Sequence, residues 1–491
     1  MKKQTYTIQN FSKKISSGAF WITISSFSAR ILSTISAIIL ARILLPEDFG
    51  LMSIAISIIS FSQGTTQTGF DSALIQKKHS AVELLNTAWT IELLRNIFLF
   101  LIIFLLAPQL ASFFNEPRAI MVLRVLSLSI VFYGLRNIGV VYFRKNLDFK
   151  KQFFLEIIPL ITYISVVIPL SLILKNVWAL VFAHIANNIS LLLISYIVHP
   201  YRPSLELNIS KAKDLFSFGK WILGASIIVM IKEQGLTMFI GKYFGIPILG
   251  FYNRANAFST MLFQQISEVF WKVGYPAFSH IQDDYVRLRT AFLKTLKLLT
   301  FVGFPLAGGF FIINEEFIRL FLTEKWMFIS SLIEIMCLIS ALSFTNTPSS
   351  IVFQASGKPS IVTKISLFSI VIILLLIYPL STIWGIEGTL MAILLSVIIS
   401  SPINWYIAVK ITGCSINDFF KTILPPAINT GVMMAVVYLF KQYMGISINF
   451  LDFFMLISAG VISYSIFAYL LDSIFNYGMY NLLKERIKGL R

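Results

Sequence analysis

Apolar residues run along this chain in blocks of about twenty, and most polar residues fall in the short gaps between them. A helix rises about 1.5 Å per residue, so about twenty apolar residues cross the roughly 30 Å hydrocarbon core of a bilayer. The pattern predicts fourteen membrane-spanning helices, at roughly 16–40, 49–70, 84–107, 119–142, 153–174, 177–198, 217–240, 251–275, 292–313, 328–353, 361–383, 388–409, 422–442 and 450–471. The pairs within 153–198 and 361–409 have very short connections. No gap is much longer than about twenty residues, which leaves no room for a soluble catalytic domain on either side.

Composition agrees with an all-α polytopic membrane protein. Of 491 residues, 57% are hydrophobic and 13% are charged, about half the charged share of a soluble domain. The net charge of +17 would point to nucleic acid on a soluble protein, but here its placement decides. With the N-terminus inside and the gaps alternating, inside segments hold 26 Lys and Arg and outside loops hold 7. That asymmetry is the positive-inside signature, so the basic surplus sets orientation and no nucleic-acid partner is expected. Both termini are expected in the cytoplasm. Lys2, Lys3, Lys13 and Lys14 precede a long apolar helix with no small-residue cleavage site, so the first helix is expected to be retained.

Candidate chemistry is sparse. Cys337, Cys414 and the four scattered histidines show no disulfide or metal spacing. No phosphate loop, dinucleotide fingerprint or zinc-protease motif occurs. No catalytic residue, metal or cofactor is expected.

An internal repeat is visible at an offset of 200. The stretch ARILLPEDFGLM (41–52) aligns with GKYFGIPILGFY (241–252), pairing Gly50 with Gly250. Trp21-Ile22 aligns with Trp221-Ile222, and Phe70 with Phe270. Both copies start inside, so the repeat is parallel. This predicts a lobe at 1–200, a second at 201–411, two six-helix bundles around a central cavity, and two further helices with a cytoplasmic tail at 412–491.

Ionisable groups inside spans are expensive and usually face a partner or a wet cavity. They concentrate in the opening pairs of the two halves. The first segment has Arg30 on a face with Thr23, Ser26 and Ser33. The second has Ser53, Ser57, Ser60, Gly64 and Gln67 in line, with Gln63 beside them. The seventh has Lys232 and Glu233. The eighth has Asn253, Asn256, Thr260, Gln264 and Ser267 on one stripe, and Arg254, Gln265, Glu268 and Lys272 on the next. These faces predict a net positive lining suited to an anion, with arginine suited to phosphate. Structural readings stand beside this one. Arg254 and Lys272 can snorkel from helix ends, Glu268 and Lys272 form an i,i+4 pair, and serine stripes can be helix–helix glue. Glu92 and Arg95 read as self-paired, and Arg124 and Arg136 as structural or interfacial.

Several runs are similar to a known family. ARILLPEDFGLMSIA, GFDSALIQKK, LRVLSLSIVFYGL with YFRKNLDFKKQ, NVWALV, HPYRPSL, LFSFGKW, GFYNRANAF, YPAFSHIQDD, GFPLAGG and EKW follow one another in order. Over at least residues 15–400 the chain resembles Wzx-type polysaccharide exporters. These belong to the multidrug/oligosaccharidyl-lipid/polysaccharide exporter superfamily, and the chain is most like the colanic-acid exporter branch. The resemblance implies two lobes and alternating-access export of an undecaprenyl-pyrophosphate-linked oligosaccharide. It also implies that basic residues on the first, seventh and eighth helices hold pyrophosphate or acidic sugars. Arg30, Lys232 and Arg254 fit that role by helix, with Lys272, Gln63, Gln67 and Asn256 beside them.

The function expected is therefore a flippase for O-antigen, capsule or exopolysaccharide biosynthesis in the bacterial inner membrane. A polysaccharide polymerase and a chain-length regulator are its expected partners. Glu233 and Glu268 are the foremost candidates for ion coupling, ahead of Glu92 and Glu156. The alternatives are a cation-coupled multidrug antiporter of the same superfamily, which would want an acidic cavity, and a membrane-embedded glycan polymerase, which would want a catalytic carboxylate or a long outer loop.

Overall fold

The structure, a computed structural model, describes residues 8–76, 81–146, 148–444 and 449–475. Lys2, Lys3, Lys77, Lys78, His79, Lys484, Arg486, Lys488 and Arg491 lie outside the described residues, as do the side chains of Lys13, Lys14, Ile22, Thr23, Lys220, Trp221 and Ile222.

The described chain is helical nearly throughout. In order come α1 (Ile8–Ile43), α2 (Pro46–Thr65), the short α3 (Phe70–Gln76), α4 (Ala81–Phe113), α5 (Ala119–Leu135), α6 (Val141–Lys145), α7 (Phe149–Leu174) and α8 (Trp178–Val198). Then follow α9 (Ile209–Tyr243), α10 (Ile246–His280), α11 (Tyr285–Phe317), α12 (Ile329–Ala355), α13 (Pro359–Thr412), α14 (Ile416–Met444) and α15 (Phe450–Phe475). Side chains start several of them. Asn208 accepts from Lys211 N at the head of α9, and Asp284 accepts from Arg287 N at the head of α11, each satisfying an amide that has no partner within its helix.

Each predicted segment except 119–142 falls mainly on one long helix. Among the described residues nine helices are long and apolar enough to span a membrane alone, and the bent pair α5–α6 makes a tenth. The count treats α13 as one helix of 54 residues, but its contacts show a chain reversal. Ser381 and Thr389 hydroxyls lie 2.7 Å apart, whereas residues eight apart on a straight helix are separated by about 12 Å. A Cβ on Gly388 would fall 2.0 Å from Leu380 O, and Ser369 reaches Ser400 at 3.5 Å. These pairs are centred on Trp384–Gly385, where Gly385 has φ +59°. The two predicted segments 361–383 and 388–409 are therefore the antiparallel arms of one hairpin. Of the remaining three, α2 and α10 are more polar than these spans, and α9 carries Lys232 and Glu233 within its apolar stretch.

The predicted segment 119–142 is corrected. The helix stops at Leu135, and the chain bends by 66° before a 3₁₀ turn and α6. The break is held by distant groups. Trp89 Nε1 donates to Arg136 O at 3.1 Å, Asn137 N donates to Ser195 Oγ at 2.9 Å, and Asn137 Nδ2 donates to Tyr201 O at 2.6 Å. Backbone groups freed by the break are thus satisfied inside protein, the condition for irregular backbone at membrane depth.

Outward surfaces of the apolar helices carry Ile173, Ile197, Leu374 and Leu375, each more than two-thirds exposed. Such a girdle is an aggregation surface in water and the normal surface in lipid.

Two compact units are present, Met1–Gly250 and Phe251–Arg491. In the first, Phe70, Leu74, Leu85, Trp89, Ile138 and Leu215 pack into a core joining α3, α4, the break and α9. Arg118 joins the start of α2 to the α4–α5 loop, pairing with Glu116 at 2.7 Å and Glu47 at 3.2 Å. That pairing holds the Glu116 carboxyl below its ordinary value. In the second unit, Phe292, Phe353, Ala408 and Phe419 form one core, and Met433, Val437, Leu456 and Tyr464 another.

The two repeat loops meet within the first unit, and they meet reciprocally. A Cβ on Gly50 would fall 2.0 Å from Ile246 O, and one on Gly250 would fall 1.8 Å from Pro46 O. Position 46 corresponds to 246, and 50 to 250. Each glycine thus touches the counterpart of the residue that touches its own counterpart, the pattern of a local two-fold relation.

Candidate substrate-binding site

Within the first unit α2 packs against α9, and α1 against α7. The polar stripe of α2 therefore lies along α9. Ser226 Oγ on α9 donates to Gln67 Oε1 at 2.8 Å, joining residues 159 apart. Gly64, one turn earlier, leaves room for Met230, whose Cγ lies 2.3 Å from where a Cβ would be. Gln63 is half-buried beside them. Lys232 and Glu233 are exposed on α9, two turns from Ser226. Ser53 of the predicted stripe donates to the carbonyl one turn back, as do Ser62 and Thr65 on the neighbouring faces of α2. Arg30 is half-buried on α1, and Ser25 on the same helix donates to Glu156 Oε2 on α7 at 2.9 Å. The structure thus brings Gln63, Gln67 and the α9 face together, and carries Arg30 on the α1–α7 pair.

In the second unit α10 presents half-buried Arg254 and Asn256, the latter's carbonyl accepting from Thr260 at 2.6 Å. Further along, Glu268 and Lys272 form an ion pair at 2.5 Å, both close to half exposed. Glu268 therefore spends charge on its own helix. Ser267 Oγ is buried without a hydrogen-bond partner in the structure. Among the described residues no cluster of His, Cys, Asp or Glu is arranged to hold a metal ion.

A feature that sequence reasoning missed lies in the same unit. The helices α11, α14 and α15 enclose an apolar groove of about 420 Å³, lined by Pro305, Leu306, Gly309, Met433, Leu456 and Gly460 among others. Its hint in sequence is the pair Gly309 and Gly460 on otherwise bulky helices.

Residues 39–331 match the family described as polysaccharide biosynthesis protein. The chain belongs to that family. It is 26% identical over 455 residues to an uncharacterized membrane protein in the cps region of Klebsiella pneumoniae, covering 91% of this chain and 93% of the other. It is 23% identical over 417 residues to the lipopolysaccharide biosynthesis protein WzxC of Escherichia coli K12, covering 84% and 85%. Among solved structures it is similar to the lipid II flippase MurJ in an inward closed conformation. That match has a TM-score of 0.76 at 17% identity and covers 92% of this chain and 98% of the other. The structural likeness fixes the fold, a polytopic helical bundle built from two repeats, and the chain is a multi-pass bacterial membrane protein.

Proposed function

We propose that this protein moves an anionic lipid-linked oligosaccharide, carried on undecaprenyl pyrophosphate, from the cytoplasmic to the outer leaflet by alternating access. The product feeds surface polysaccharide biosynthesis, with a polymerase and a chain-length regulator acting downstream. The observation that carries the reading is the combination of family and polarity. In a family of polysaccharide biosynthesis proteins, α2 and α10 are more polar than the lipid-facing spans, and α9 and α10 bear Lys232 and Arg254. Charge at that depth is retained where it meets water or a ligand.

In this reading the first unit offers Arg30 and Lys232 to phosphate, and the second unit offers Arg254 and Lys272. Arginine's fork suits two phosphate oxygens at once. Gln63, Gln67 and Asn256 offer hydrogen bonds to sugar hydroxyls. The tail stays in the apolar phase, and the groove between α11, α14 and α15 fits a stretch of polyprenyl chain. Both termini face the cytoplasm. Glu233 and Glu268 are candidates for ion coupling, Glu268 the weaker because Lys272 occupies it.

The test compares a gene deletion with Arg30→Gln and Lys232→Gln in the same host, following labelled lipid-linked oligosaccharide. The deletion and both variants are expected to accumulate it on the cytoplasmic leaflet, with the variants present in the membrane at normal level. Normal export by both variants would overturn the site. Normal export by the deletion strain would overturn the function.

A further inference from the structure

The groove between α11, α14 and α15 has a foot, a defined length and a charged rim. At its foot the Tyr464 hydroxyl donates to Phe301 O at 2.8 Å, and the two rings lie 5.3 Å apart. From there its wall follows α11 from Val302 to Ile313. At about 1.5 Å per residue that is roughly 16 Å, about half of the roughly 30 Å hydrocarbon core. The groove is thus as deep as one leaflet. Apart from Tyr464 and Ser465 near the foot, its lining side chains are apolar. Val302, Ile457 and Val461 are exposed, so it opens sideways to the bilayer.

Two glycines make this a groove instead of a packed seam. A Cβ on Gly308 would fall 2.6 Å from Thr430 Cγ2, the mark of close packing. A Cβ on its neighbour Gly309 would meet only Met433 Cε, at 3.8 Å, and one on Gly460 of α15 would meet nothing closer than Val437 Cγ2 at 3.4 Å. Space therefore lies in front of Gly309 and Gly460.

The rim stands one turn beyond Ile313 and Val437. There Lys441 on α14 pairs with Glu316 on α11 at 2.7 Å and lies 3.9 Å from Glu315. The pair bridges the same two helices as the groove. Lys441 reaches Glu316 Oε1, while Glu316 Oε2 is buried with no hydrogen-bond partner in the structure. A charged acceptor left in that state is costly. Glu315 is about half exposed beside it. These three side chains carry two negative charges and one positive. They repel a ligand that brings only negative charge, and they match one that brings an ammonium together with a phosphate.

We propose that the groove binds one phosphatidylethanolamine molecule of the surrounding bilayer. One acyl chain lies in the groove, and the headgroup sits on the rim. The ammonium donates to Glu316 Oε2 and to Glu315, and the phosphate faces Lys441. The one-leaflet depth suits a phospholipid chain, which the Tyr464 bond stops near the midplane. In the orientation proposed above, with both termini in the cytoplasm, this is a lipid of the outer leaflet. A polyprenyl stretch fits the apolar wall as well. Its pyrophosphate, however, has no ammonium for the two glutamates and would meet their surplus negative charge. The phospholipid is therefore the resting occupant, and a polyprenyl tail entering the groove displaces it. Moving a chain from lipid into an apolar groove gains little hydrophobic energy, because lipid tails are as apolar as the side chains. Selectivity is accordingly set at the rim, whichever substrate the protein carries.

The test is native mass spectrometry of the full-length chain, equilibrated in detergent with equal amounts of phosphatidylethanolamine and phosphatidylglycerol that bear the same acyl chains. The protein is expected to retain one phosphatidylethanolamine, preferred about tenfold, the size of one hydrogen bond to a charged group. Glu316→Gln removes one negative charge and the ammonium's acceptor, and should bring the ratio close to one. Gly309→Leu fills the groove where a side chain has room, and should release the lipid. Gly431→Leu on α14, where a Cβ meets nothing within 4 Å, should leave it bound. The comparison of the two headgroups needs no variant, so it stands even if Glu316→Gln does not fold. Equal retention of the two lipids, or a preference that survives Glu316→Gln, would overturn the headgroup site. Retention unchanged by Gly309→Leu would overturn the groove. So would a spectrum in which added undecaprenyl phosphate is held and phosphatidylethanolamine is not, or a lipid-free dimer abolished by Gly309→Leu, which would make this face an interface between copies.

Discussion

Gly250→Ala puts a methyl group where the structure has none to spare. Its Cβ would lie 1.8 Å from Pro46 O, 2.6 Å from Pro46 C and 3.1 Å from Gly50 N. All three obstacles are backbone, so no side chain can swing aside. An ordinary carbon–oxygen contact is no closer than about 3.3 Å, and the two loops must part by about 1.5 Å at that point. Alanine gains about 1 kcal/mol of helix propensity over glycine. Overpacking of a tight crossing costs typically 1–3 kcal/mol and occasionally more. The overlap here is near the worst a single methyl can make, so a net loss of about 1–2 kcal/mol is expected. Thermal unfolding of the purified protein in detergent reads it out. Gly431→Ala on α14 is the control, since a Cβ there meets nothing within 4 Å and only the propensity gain remains. Gly50→Ala should behave like Gly250→Ala, because its Cβ would lie 2.0 Å from Ile246 O. The double variant should cost less than the two singles together, since one separation relieves both clashes. If Gly250→Ala unfolds at or above the control temperature, the close crossing is not a feature of the folded protein.

Two further outcomes are expected. Gln67→Ala and Ser226→Ala should each lower the unfolding temperature by the equivalent of about 1 kcal/mol, with the double variant adding little, because both remove the same 2.8 Å hydrogen bond; additive losses would show that the bond does not form. Glu116→Gln should destabilise the protein at neutral pH, and the gap should close in acid. The Glu116 carboxyl sits below its ordinary value of 4.5 because Arg118 donates to it. Its contribution is therefore complete above that value and is lost as pH falls through the depressed one, so a gap that persists in strong acid would refute this account.

Much of the architecture was legible because lipid imposes one simple rule, an apolar run per span, and the fourteen segments follow from it. The repeat was legible because Gly50 and Gly250 keep the same register. The hairpin at Trp384–Gly385 was read correctly from length alone, since no bilayer accommodates 54 helical residues. The break at Arg136 was not read, because LRNIGVVYF is apolar enough to continue a span. What stops the helix is Asn137 bonding to Ser195 and Tyr201, about sixty residues away. The same limit hid the rest of the surroundings of Glu92. Spacing shows its partner Arg95 one turn on, but Thr68 comes from another helix end, and the orphaned Asn96 oxygen exists only once α4, α5 and the α2–α3 linker are packed. Buried polar chemistry is set by what surrounds a residue, and helical spacing reports only neighbours on the same helix.

The crossing at Gly50 and Gly250 also ties the two copies of the repeat to one another. Because each loop supplies the same glycine to the other, a single loop is self-complementary. The two halves then stay under a shared constraint, because a bulkier residue at either position is felt by both.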